Sequence, residues 1–198
     1  SGSRSARARS RRRAETLSAL ARARAVARAE SAEPRPQPRR GLGAAGDLRD
    51  DERGPGQFYA FLTNIHARPD APETALVTGA RALQIAERLG DLQLRLLATG
   101  YLEQAHYYRG EYARVIELAT ENLAALSPEW THEFFGSNQP PSVNDRFRLV
   151  VSLAHLGRFA EAAQHEAETV ALAEATHHAY PLAMAYHAAG TSRLIKGD

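Results

Sequence analysis

The chain has 198 residues, 43% of them hydrophobic, no cysteine and a formal charge of +2. That apolar content suffices for a core that outweighs backbone ordering at roughly 1–2 kcal/mol per residue, and the missing cysteine excludes disulfides, thiolate catalysis and thiolate zinc sites. Apolar runs such as Leu149 to Leu156 contain Ser or His and fall short of the roughly 20 residues of a membrane helix, so a soluble, cytoplasmic chain with no membrane partner is expected.

The charge is unevenly placed. Residues 1–40 carry twelve arginines against Glu15, Glu30 and Glu33, a net of +9, which leaves −7 for the remainder. The basic character belongs to a tail, and the overall charge is a poor argument for a nucleic-acid-binding domain. Residues 1–40 hold no aromatic side chain, so base stacking is absent and phosphate binding there is non-specific. Lys196 is the one lysine among 25 basic residues, a bias that points to a GC-rich bacterial coding sequence.

In chain order, residues 1–55 are Arg/Ala/Ser-rich, then Pro-rich at Pro34, Pro36 and Pro38, then Gly-rich at Gly41, Gly43 and Gly46, and are expected to be a disordered linker. Ala14–Ala29 has helix propensity, but Leu17, Leu20 and Val26 make too thin an apolar stripe for a stable helix. Gly54-Pro55-Gly56 marks the expected start of a helical domain over 56–198. From Gln57 the apolar spacing predicts helices over about 57–67, 72–89, 92–109, 112–126, 144–156, 159–176 and 180–196. Gly90, Gly110 and Gly157 stand where helix ends adopt the left-handed conformation, and Pro69 and Pro72 bracket the first turn. An insertion over 127–142 carries Trp130, Phe134 and Phe135 among helix breakers; packing on adjacent helices is the preferred reading of these aromatics, an exposed patch the other. The expected fold class is all-α, seven helices in three and a half antiparallel hairpins.

The hairpin pattern repeats. YLEQAHYYRGEYARVI (101–116) is echoed by LGRFAEA (156–162), with Gly157 where Gly110 stood and Phe159 where Tyr112 stood. At an offset of 87, Ala75, Glu87 and Gly110 meet Ala162, Glu174 and Gly197 without a gap. This resembles the tetratricopeptide repeat: Leu102, Ala105, Tyr107, Gly110, Tyr112 and Ile116 carry one unit, and Leu153, Leu156, Gly157, Phe159, Ala162 and Val170 the next. The first unit matches through Leu62, Ala75, Ala82 and Leu83, with ARPDAPE in place of the glycine turn. Ala75, Ala105, Ala162 and Ser152 are small where paired helices approach closely. The implied architecture is a helix-hairpin solenoid, a tetratricopeptide-like superhelix.

FYAFLTNI (58–65), ALQIAERLGDLQL (82–94), YLEQAHYYRGEY (101–112) and FGSNQPPSVNDRFRLVVSLAHLGRFAEA (135–162) are similar to the C-terminal repeats of large bacterial proteins that join an adenylate or guanylate cyclase domain to an AAA-like ATPase. The resemblance implies a sensing or docking arm within a signalling protein, whose ATPase and cyclase modules are partners and whose nucleotide chemistry lies elsewhere. A start on Ser1 and an end on a turn fit a fragment; a natural linker is preferred over a reading-frame shift as the account of the tail. A repeat arm of a transcriptional regulator or other signalling ATPase, and a tail-driven nucleic-acid-associated factor, are the rival readings.

No catalytic motif emerges, so the chain is not expected to be an enzyme or to hold a cofactor. Gly41, Gly43 and Gly46 spell G-x-G-x-x-G, but a Pro/Arg-rich run replaces the strand that a dinucleotide site needs, and no phosphate-loop motif occurs. His177-His178, His155 and His165 lack the spacing of a metal site, with Glu161, Glu166 and Glu174 at ordinary helix-surface positions. The expected working surface is the concave face formed by the first helix of each hairpin, which in tetratricopeptide folds grips a protein or peptide. On that register it presents Asn64, Gln104, Tyr107, Tyr108, Val151, His155, His187 and Thr191, a polar and aromatic set with little charge. Ala60, one turn before Asn64, is not basic, which disfavours a clamp for a C-terminal carboxylate. Tyr107 and Tyr108 either contact a partner or pack between repeats.

Overall fold

The computed structural model describes residues 44–198, and over them the chain is all-helical. Seven α-helices follow one another: α1 (Ala44–His66), α2 (Pro72–Leu89), α3 (Leu92–Tyr108), α4 (Tyr112–Ala125), α5 (Pro141–His155), α6 (Phe159–Ala175) and α7 (Ala179–Lys196). A single 3-10 turn, Pro128–Trp130, interrupts the connection from α4 to α5. The turn glycines act as their positions predict: Gly90, Gly110 and Gly157 have φ of 62°, 73° and 73°, a left-handed conformation that costs a side chain energy and a glycine none. Gly197, the counterpart of Gly110 at an offset of 87, has φ 86°.

Two boundaries differ from expectation. The linker expected over 1–55 overlaps α1, which begins at Ala44 and carries Gly54-Pro55-Gly56 inside it. Gly56 is not a breaker there but a contact: a Cβ at this position would sit 2.5 Å from Leu94 Cδ2 and 2.9 Å from Ile85 Cγ2, so any larger residue would have to displace side chains of both α2 and α3. The rest of the tail, including Ala14–Ala29, Gly41 and Gly43, lies outside the described residues. Second, α5 starts at Pro141, not near 144, because proline suits the first turn of a helix, where its missing N–H has no partner to lose.

Each helix packs on its neighbours in sequence, and α1, α3, α5 and α7 also pack in succession on one another. Among the described residues no contact joins α2 to α4 or α4 to α6. The odd-numbered helices thus form one continuous layer, and each even-numbered helix bridges two of them from behind. Alanines make the joints close: Ala67, Ala75 and Ala105 cluster at the first, Ala119 and Ala162 with Leu149 and Leu153 at the next, Ala173 and Ala185 with Val143 at the last. Ala75 and Ala162, the landmarks that match at an offset of 87, are both fully buried. Among the described residues no helix is long and apolar enough to cross a membrane.

Candidate functional site

A groove of about 370 Å³ runs across the layer of odd-numbered helices. Asn64 of α1, Gln104, Tyr107 and Tyr108 of α3, Val151 of α5, and His187 and Thr191 of α7 all line it, seven of the eight residues assigned to the concave face by register. Successive odd helices present the same face to one side, which is why positions distant in sequence converge. His155 stands outside the lining: its Nε2 lies 3.0 Å from Tyr107 Oη, and its ring stacks on Tyr112 with centroids 4.3 Å apart and an interplanar angle of 1°. Tyr107 is half-buried among Tyr108, Tyr112 and His155, whereas Tyr108 is 41% exposed. The first mainly braces the wall and the second faces solvent. Burial, followed by the neighbouring Tyr112, holds the Tyr107 hydroxyl above its ordinary pKa.

Sequence reasoning missed several lining residues, among them Tyr101, Phe147, Arg148, Tyr180 and Met184. Asn138 and Gln139 also reach the groove, since the end of the insertion folds back over α3 and α5. Its aromatics are half-buried: Trp130 meets Phe135 edge to face at 5.2 Å, and Phe134 meets the His178 ring at 4.9 Å. Hydrogen bonds of side-chain amides knit the groove floor. Gln104 Nε2 donates to the Ala67 carbonyl at 2.7 Å and its Oε1 accepts from Arg148 Nη2 at 2.7 Å. Gln139 Nε2 donates to Asn144 Oδ1 at 2.9 Å, and Asn144 Nδ2 donates to Asp145 Oδ1 at 3.0 Å.

Behind the floor lies a group of buried ionisable side chains. Glu103 of α3 is fully buried, with neither carboxyl oxygen hydrogen-bonded, and Asp145 of α5 is buried with Oδ2 unpartnered. Burial, reinforced by Asp145 and opposed by Arg148, raises the Glu103 pKa well above the carboxylate range. Burial pushes Asp145 up to about 7, against the pull of hydrogen bonds from Asn144 and Asn122 and the charges of Arg146 and Arg148. Arg148, 8% exposed, sits one turn along from Asp145, with Nε buried and unpartnered. Burial lowers its pKa, Glu103 opposing, but a guanidinium stays charged in any ordinary buffer.

Among the described residues no three His, Cys, Asp or Glu side chains converge as a metal site. His165 is half-buried with Nδ1 unpartnered, and burial lowers its pKa; His177 and His178 are exposed. No family model, curated protein or solved structure matches the chain.

Proposed function

We propose that residues 56–198 are a tetratricopeptide-like helical repeat and that the groove across α1, α3, α5 and α7 binds a peptide segment of a partner protein. The observation that carries this reading is the continuous odd-helix layer, whose facing side chains from all four helices line one groove. The lining suits a chain in extended conformation: tyrosines supply large amphipathic contact area at little entropic cost, and Asn64 and Asn138 offer both donors and acceptors to a peptide backbone. The resemblance of 58–65, 82–94, 101–112 and 135–162 to bacterial cyclase and ATPase repeats supports a role as a sensing or docking arm of a larger cytoplasmic signalling protein, with the chemistry carried elsewhere.

The test uses residues that project into the groove without bracing it, since Gln104 and His155 make internal hydrogen bonds. Tyr108, Tyr180 and His187, all exposed, are changed together to alanine, and wild type and variant are panned against a phage-displayed random peptide library. Wild type enriches a peptide family that the variant does not. Equal enrichment by both proteins refutes the groove.

A further inference from the structure

Arg148 is more than nine-tenths buried yet makes no ion pair among the described residues. Buried charges are ordinarily paired, because an isolated ion removed from water is costly. Two carboxyls, Glu103 and Asp145, feel its charge, but no ion pair or hydrogen bond joins either of them to Arg148, and burial raises the pKa of both towards the neutral acid. The guanidinium is nevertheless held in place. The ring of Phe147 lies 4.9 Å from its Cζ, that of Tyr107 5.8 Å, and Gln104 accepts one of its N–H groups. A neutral acceptor and two ring faces orient the cation without neutralising it. Arg148 lines the groove, and none of the other lining residues carries a fixed charge.

We infer that the groove takes an extended peptide whose aspartate or glutamate carboxylate pairs with Arg148, an inference that rests on the groove reading above. The peptide's carboxylate supplies the counter-charge the fold withholds, and a planar guanidinium is the side chain best shaped to receive it. A peptide is favoured over a compact acid by the shape of the site. The groove crosses four helices, and at an interaxial spacing of about 8–10 Å it is about 25–30 Å long, the reach of about eight extended residues.

The experiment follows the Arg148 Nε–H signal and the tyrosine resonances of the full chain by NMR. The probes are two blocked pentapeptides, acetyl-Ala-Ala-Glu-Ala-Ala-amide and its glutamine counterpart, with free glutamate and inorganic phosphate as further arms. The glutamate peptide is expected to move the Arg148 signal and to bind about tenfold or more tightly than the glutamine peptide, the scale of a charge-assisted hydrogen bond. Arg148→Gln abolishes the difference, and Arg148→Lys retains part of it. If both peptides shift Tyr108 and Tyr180 alike and leave Arg148 unmoved, the groove reading stands and the carboxylate assignment falls. If neither peptide moves any groove resonance, both fall. Phosphate or free glutamate moving Arg148 as strongly as the glutamate peptide overturns the assignment to a peptide. The wild-type spectra decide these outcomes even where a variant fails to fold.

Discussion

Asp145 makes the stability of this fold depend on pH in an unusual direction. For a carboxyl whose folded pKa is raised, the native state holds the proton more tightly than the unfolded chain. Its contribution is therefore fully present below the unfolded value of 3.8 and is lost as pH rises through the folded value of about 7. Burial lowers the pKa of His155 and His165 below their ordinary 6.5, which destabilises the fold on the acid side, so the carboxyl effect is read cleanly only above about pH 6.5. Between about pH 6.5 and about pH 8, a single group titrating near 7 removes about 1 kcal/mol, and Glu103 adds to the slope in the same sense. Asp145→Asn removes this share: its amide oxygen still accepts from Asn144, and its NH2 replaces the oxygen that has no partner. Urea unfolding followed by helical circular dichroism at the two pH values measures it, since about 1 kcal/mol is about 0.5 M in midpoint at a slope of about 2 kcal/mol/M. Wild type weakens by at least that amount and the variant by about 1 kcal/mol less. Identical pH slopes in the two proteins would refute the assignment of a raised pKa to Asp145.

The packing makes further predictions. Ala162→Leu, which forces three carbons into a fully buried joint beside Ala119, Leu149 and Leu153, destabilises the fold by roughly 1–3 kcal/mol; an unchanged unfolding midpoint contradicts the close approach there. Two helix-interior glycines respond oppositely to alanine. Gly79→Ala drives a Cβ to within 2.3 Å of Leu102 Cδ2 and lowers the melting temperature, whereas Gly190→Ala, with nothing within 4 Å, raises stability by about 0.5–1 kcal/mol through reduced unfolded-state entropy. Asp91→Ala costs about 1–2 kcal/mol in urea titration, because Asp91 caps α3 by accepting from the Leu94 N–H at 3.0 Å and also pairs with Arg53 at 2.6 Å.

The helices and most of their ends were legible because apolar spacing and turn glycines agree at nearly every break, and the seven groove positions because register alone brings one face of every odd helix to the same side. The misreadings share a cause: the meaning of a residue changed with what packs on it. Gly56 resembles a boundary in sequence and is a contact in space, and nothing local distinguishes it from Gly54, whose absent Cβ would meet no atom within 4 Å. Arg148 is absent from the groove set that register assigns, yet its helix carried a signal. Val143, Phe147, Leu149, Val150, Val151 and Leu153 span about 200° of α5, about twice the apolar stripe of an ordinary surface helix, and a stripe that wide marks a central helix. It touches α3, α4, α6 and α7, so Asp145 is closed off from water and Arg148 keeps only its opening onto the groove. A stable core would have used apolar residues there at no loss. That the sequence instead spends two buried ionisable positions, one of them opening onto a groove, is the physical reason to look for the partner at Arg148 before anywhere else on this surface.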